Sequence, residues 1–240
     1  MGTKRTLPRE LLTDEESDAL LAQCDDSAVG LRNRALILLL EGTGCRISEV
    51  LALEPRDVEW AEETVHVRHG NGGHERVIPA SPEALVATRS WLEARAGHGI
   101  PGDAVVCCGL HGRPLSAPYV RRLLSGLGER AGILKRVHAH GLRYRFTARL
   151  VRHGVVITSM SYVLGHQSIA STYEHLRQLG LDHALDDVQR ALDAKDRFAD
   201  GHQSAEFELP PGPLARSGPS GRHPDLQKRD RGKAAGRKSA

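Results

Sequence analysis

His140 and Arg143 stand three positions apart in the run VHAHGLRYRFTARL at 137–150. On a helix that spacing stacks an imidazole and a guanidinium on one face, with Leu142, Phe146 and Leu150 marking an apolar stripe beside them. A planar set of N–H donors with a second donor next to it is suited to holding a phosphate. Upstream, the glycine-punctuated turn Gly42-Thr43-Gly44-Cys45-Arg46-Ile47-Ser48-Glu49 supplies a second arginine. It stands at the start of a short helix expected over 47–53, where backbone amides also favour an anion. Downstream, Leu164-Gly165-His166 supplies a second histidine, and Tyr173 follows. Two arginines, two histidines and a tyrosine together point to chemistry at a phosphoryl group.

Taken singly, each has a plain structural reading. Arg46 alone fits a surface arginine paired with Glu49, three residues on. His140 beside His138 fits a polar helix start, His166 after Gly165 a turn histidine, and Tyr173 a half-buried aromatic. Glu49 reads as a support that orients Arg46 or caps its helix.

The order of these segments carries more than any one of them. GTGCRISEVLAL around Arg46, HAHGLRYRF around His140 and Arg143, LGHQSI around His166 and TYEHL around Tyr173, with a hairpin near Gly70, resemble the catalytic domain of the tyrosine recombinases, the phage-integrase-like DNA breaking and rejoining enzymes. The resemblance covers residues 13–179. It implies a mainly helical α+β domain with a small antiparallel hairpin. It also implies a reaction in which Tyr173 attacks a backbone phosphorus of double-stranded DNA, forming a 3′-phosphotyrosyl bond and releasing a 5′-hydroxyl. Arg46 and Arg143 would clamp the non-bridging oxygens, and His140 and His166 would act as hydrogen-bond and proton partners. No cofactor, metal or ATP is implied. The expected partners are duplex DNA and further copies of the chain, four in a synapse.

Three departures bear on activity. Active members carry a lysine in the hairpin turn as a general acid for the leaving oxygen, whereas here the turn reads Gly70-Asn71-Gly72. Asn71 donates a hydrogen bond but gives up no proton at neutral pH. His69, His74 or Arg76 would have to substitute, and His74 is the preferred candidate. Next, the family's tyrosine lies about nine residues past the Leu-Gly-His histidine, against seven from His166 to Tyr173. Finally, the chain begins almost at the catalytic domain, without the helical core-binding domain that commonly precedes it. Two other readings follow: a DNA-binding relative that has lost catalysis, and a relaxing enzyme of the type IB topoisomerase kind. Tyr119, Tyr144 and Tyr162 are competing tyrosines, and Tyr144 reads as a support behind the site.

The elements that must position these residues are legible in outline. Thr13 with Glu16 reads as a capping box, 31–41 as an apolar central helix ended by Gly42 and Gly44, and 65–67 with 76–78 as the hairpin strands. Ser81-Pro82 opens a helix running toward Gly97, and 104–108 reads as one more short strand. Helices follow over 117–131, 140–153 (closed by Gly154), 157–164, 168–179 and 181–198.

Residues 1–12 read as a loose arm, 13–198 as the catalytic domain and 199–240 as a disordered basic tail. At 240 residues and 40% hydrophobic, one good core is the expectation. The formal charge is only +3, and from Arg216 onward eight basic residues face Asp225 and Asp230, so the body itself is not basic. The four cysteines show no CxxC spacing, which with the absence of an apolar signal core or membrane-length run fits a reducing cytoplasm and a place at the nucleoid. Histidines 66, 69, 74, 138 and 140 lack the cysteine pairs or HExxH helix of a zinc site.

Overall fold

A computed structural model describes residues 11–68, 70 and 75–181. The expected helix over 182–198, the tail over 199–240, the first ten residues of the arm, and Asn71 and His74 lie outside the described residues.

The chain opens with α1 (Asp14–Leu21), closed at its start by the expected capping box: the Thr13 hydroxyl accepts from the Glu16 amide, and the Glu16 carboxylate accepts from the Thr13 amide. Next comes α2 (Ala28–Thr43), N-capped by Ser27 and ended by Gly44 at φ +64°. Its residues Leu36, Ile37, Leu39 and Leu40 are fully buried, because the helix is apolar round most of its circumference. Gly42 was expected to help end this helix, yet it lies inside it. A Cβ there would approach the Ser81 hydroxyl to 2.5 Å and the Ala84 methyl to 3.0 Å, so glycine serves close packing rather than termination. That contact is where α2 meets α4 (Pro82–Ala96), whose first turn Ser81 caps and Pro82 opens.

Between them run α3 (Ile47–Ala52), a 3₁₀ turn (Pro55–Asp57) and a three-stranded antiparallel meander of β1 (Val58–Glu59), β2 (Thr64–Val67) and β3 (Arg76–Pro79). The strand period of two puts Val65, Val67, Arg76 and Ile78 on the buried face, so the sheet delivers one arginine inward among three apolar side chains.

The expected strand at 104–108 does not form. Trp91 Nε1 donates to the Val106 carbonyl at 2.7 Å, and the buried Arg95 guanidinium takes the carbonyls of Gly102, Ala104 and Val105 at 2.8–3.1 Å. Side chains of α4 thus occupy the acceptors that a strand partner would use, leaving one isolated bridge, Cys108 to Pro114. Cys107 and Cys108 are buried in a loop, and all four cysteines are unbridged.

The remaining elements carry the site. They are α5 (Ala117–Arg130), α6 (Ala139–Arg152), α7 (Ile157–Leu164) and α8 (Ile169–Gln178). His138 N-caps α6 by accepting from the Gly141 amide, and Gly154 follows its end at φ +69°. α6 packs on α2, and its far face joins α7 and α8 around a small second core of Phe146, Met160, Leu164 and Leu176. Among the described residues no helix is long and apolar enough to cross a membrane.

Candidate active site

Three arginines converge on the C-terminal end of α7. Arg143, on α6 and 2% exposed, donates from Nη2 to the Leu164 carbonyl at 2.7 Å and from Nη1 to the Gly44 carbonyl at 2.6 Å. Arg46, the residue preceding α3, donates to the carbonyls of Leu164 at 3.4 Å and Gly165 at 3.2 Å. Arg76, from β3, donates from Nε to the Val163 carbonyl at 3.0 Å. A helix C-terminus presents unpaired carbonyls and the negative end of its dipole, so it can hold guanidinium groups side by side that would otherwise repel.

The glycines of the two quoted segments follow from this packing. Gly165 sits at φ +61°, and a Cβ there would come within 2.7 Å of the Arg76 guanidinium. Gly44 lies against the Phe146 ring, which a Cβ would overlap.

Glu49 is the one carboxylate bonded to these arginines among the described residues. It takes Arg76 in two parallel hydrogen bonds of 2.9 and 3.0 Å, accepts from Arg46 Nη1 at 3.3 Å, and caps α3 by accepting the Arg46 amide at 2.7 Å. Both expected supporting roles are therefore present, but its main partner is Arg76. Burial pushes the Glu49 carboxyl upward in pKa, and the Arg76 and Arg46 bonds outweigh it and hold it low. For Arg143 burial, reinforced by the neighbouring Arg46 charge, lowers the pKa to about 10. It stays protonated at neutral pH, and the site carries three cations against one anion.

His166 links this cluster to α8. Its Nε2 lies 3.0 Å from Arg143 Nη2, and its Nδ1 lies 2.9 Å from the Thr172 hydroxyl. Arginine only donates, so Nε2 accepts and the ring proton sits on Nδ1. Burial, with Arg143 and Arg46 beside it, lowers the His166 pKa to about 4, which leaves the ring neutral at physiological pH.

His140 stands at the exposed start of α6. Its ring stands edge-on to Tyr144 at 4.3 Å and faces His175 at 5.8 Å. Tyr144 is buried behind the site, as its position suggested, and donates to Gln178 Oε1 at 2.7 Å. Tyr173 lies half-buried in the second turn of α8, one residue after the Thr172 that holds His166. No hydrogen bond joins its hydroxyl to Arg46, Arg143 or His166 in this state. Beside the cluster, a cavity of about 270 Å³ is lined by Glu75, Arg76, Ser161, Tyr162, Gly165 and His166, among others.

The structure thus bonds Glu49 to Arg46 and Arg143 to His166, with Arg46 and Arg143 sharing the Leu164 carbonyl, and seats His140 against Tyr144 and His175. Tyr173 lies on α8 about 200° round the helix from His175, which is the residue that faces His140 and His166, so the phenol is not brought into this group. What it can do chemically is bind an oxyanion on a preorganised set of donors.

Compared with family models, residues 10–179 match the phage integrase family. The chain belongs to that family. Among its curated relatives is tyrosine recombinase XerC of Xanthomonas campestris pv. campestris (strain B100), 34% identical over 178 residues, a match spanning 72% of this chain and 52% of that one. The chain spans little more than half the length of the curated relatives it matches. Among solved structures, XerA recombinase superimposes with a TM-score of 0.64 at 24% identity, covering 82% of this chain and 66% of that one. XerH site-specific recombinase, bound to a palindromic difH substrate in a post-cleavage complex, superimposes with a TM-score of 0.59 at 25% identity, covering 69% of this chain and 48% of that one. The mainly helical fold with a small antiparallel sheet is that of the family's catalytic domains.

Within the integrase fold, four residues near the cluster escaped sequence reasoning. Arg76 had been weighed only as a substitute acid, but its guanidinium is buried and doubly bonded to Glu49. Thr147, Thr172 and His175 drew no attention as single residues. The available signal was the spacing of Thr172, His175, Leu176 and Leu179, one helical face that is buried throughout.

Proposed function

We propose that this chain is the catalytic domain of a site-specific recombinase that cleaves and rejoins duplex DNA through a 3′-phosphotyrosyl bond on Tyr173. The observation that carries this reading is the cluster of Arg46, Arg76 and Arg143 against the single carboxylate Glu49, a buried cationic site with a tyrosine-bearing helix beside it. Family membership supports it, and XerH was solved on cleaved DNA.

In this reading Arg46 and Arg143 exchange carbonyl contacts for the non-bridging oxygens of one phosphate. Arg46 is the more exposed of the two and the first to meet DNA. The Tyr173 oxygen attacks phosphorus, the P–O5′ bond breaks, the phenolic proton passes to His140 or solvent, and the 5′-oxygen takes up a proton. Rejoining reverses these steps with a 5′-hydroxyl from either strand. Neutral His166 serves as a hydrogen-bond partner rather than as an imidazolium acid. Arg76, locked to Glu49, is no proton source, so the acid for the leaving oxygen falls to the hairpin turn, with His74 the candidate and Asn71 at most a hydrogen-bond donor. Cleavage and exchange proceed on double-stranded DNA in a homo-oligomer, a tetramer in the synapse, at the nucleoid in the cytoplasm.

A nicked suicide duplex, from which the leaving strand diffuses away, tests the proposal. Parent protein should give a denaturant-resistant protein–DNA adduct, and Tyr173→Phe should give none while still shifting the duplex on a native gel. Binding without an adduct in the parent would replace this reading with that of a DNA-binding relative, the outcome that Asn71 in the lysine's place favours.

A further inference from the structure

The hairpin turn is not the only part of the fold from which a proton can reach the leaving oxygen. The cavity of about 270 Å³ beside the arginine cluster lies between β3, the strand that the turn leads into, and the end of α7. Tyr162 stands in the last turn of α7, 56% exposed, and lines this cavity together with Arg76 and His166. The same helix end offers its Val163, Leu164 and Gly165 carbonyls to Arg76, Arg143 and Arg46, so the phenol and the three guanidinium groups gather at one helical turn.

Each of the other described groups around the cavity is engaged or is no acid. Arg76 is fixed to Glu49. His166 accepts from Arg143 at Nε2 and turns its single ring proton to Thr172. The Glu75 carboxylate lies 3.1 Å from His66 Nε2. Gln167 is an amide, and the aliphatic hydroxyl of Ser161 is a far weaker acid than a phenol.

A tyrosine phenol and a lysine ammonium ordinarily titrate in the same range, at about 10, but they differ in charge. The cluster already holds three cations against Glu49, so an ammonium would add a fourth. A phenol comes to it neutral and leaves an anion within electrostatic reach of Arg76.

We propose that Tyr162 is a catalytic residue, the general acid that protonates the departing 5′-oxygen in the place of the hairpin lysine that active members of the family carry. This rests on the functional reading that a DNA phosphate is cleaved at this cluster. As the P–O5′ bond breaks, its electron pair goes to the 5′-oxygen, which takes the Tyr162 proton. The phenolate left behind exchanges with water at its exposed position, and rejoining runs the transfer in reverse.

The test uses the full chain and two nicked suicide duplexes, one with the natural 5′-oxygen at the cleaved phosphate and one with sulfur in its place. Parent, Tyr162→Phe and His74→Ala are compared on both. A thiolate departs without a proton, so the sulfur duplex relieves a missing acid but not a lost contact or a disturbed site. Tyr162 is exposed and phenylalanine keeps the ring, so melting temperature and duplex affinity should stay close to the parent's. On the oxygen duplex Tyr162→Phe should form adduct about 100-fold more slowly, and on the sulfur duplex within about threefold of the parent.

An equal loss on both duplexes, or no loss on oxygen, overturns the inference and leaves the functional reading standing. A sulfur-rescued loss in His74→Ala with a parent-like Tyr162→Phe assigns the acid to the hairpin turn instead. A parent that cleaves only the sulfur duplex has no working acid, which also overturns the inference. A parent that forms no adduct with either duplex overturns the functional reading and this inference with it.

Discussion

Arg143 meets only carbonyls and a neutral imidazole although it is nearly inaccessible to water. Its charge is tolerated because those acceptors are fixed, and an arriving phosphate adds the counter-charge that they lack. Arg143→Lys should therefore lower the adduct-forming rate by about 100-fold or more, since a point charge on a flexible stem cannot reproduce the planar donors that stabilise the transition state. Single-turnover cleavage measures this. The neutral histidines give a second prediction. His166 and His175 titrate in the folded protein at about 4 and about 3, both below their ordinary value of 6.5, the first cause in each case being burial and the next Arg143. The unfolded chain therefore binds their protons first. Stability is full above about pH 6.5 and falls progressively as pH drops from there toward 4. Melting temperature followed from pH 7.5 to 4.5 should decline, and His175→Gln should decline less steeply.

At the scale of elements, α7 is held at its C-terminus, where Gly165 gives the left-handed turn and the room for Arg76 that any side chain would take away. Gly165→Ala should cost about 1–3 kcal/mol from the backbone conformation alone, read as a lowered melting temperature, and should lose cleavage in addition because Arg46 and Arg76 both shift. The extent of α7 was legible to the residue, because a glycine stop and an apolar helical period agree. Local cues failed at 104–108, where a short continuous apolar run is claimed by Trp91 and Arg95 from another helix. Arg46, His140, Arg143, His166 and Tyr173 could be nominated from residue type and order, and the proximity of Arg46, Arg143 and His166 is what the fold adds. That Glu49 serves Arg76 more than Arg46, or that Thr147 bonds His175, could not, because these pairs are 27 and 28 residues apart and only the packed fold brings them together.

The molecule as a whole presents a cationic pocket on a body that is not basic overall, so its attachment to DNA should depend on few, well-placed charges. Removing Arg46, the more exposed of the two arginines proposed to clamp the phosphate, should reduce the slope of log affinity against log salt by about one. A titration of duplex binding at several salt concentrations checks this.

The central claim is that Tyr173, and no other tyrosine, takes the phosphate. Tyr162 is the close competitor: it is well exposed, lines the cavity beside the cluster, and falls in the same tryptic peptide, between Arg152 and Arg177. Fragmentation mass spectrometry of that peptide, from adduct trapped on the suicide duplex and trimmed with nuclease, separates the two. The predicted result is a nucleotide remnant on Tyr173 with Tyr162 unmodified. A remnant on Tyr162, or on any residue other than Tyr173, would contradict the account.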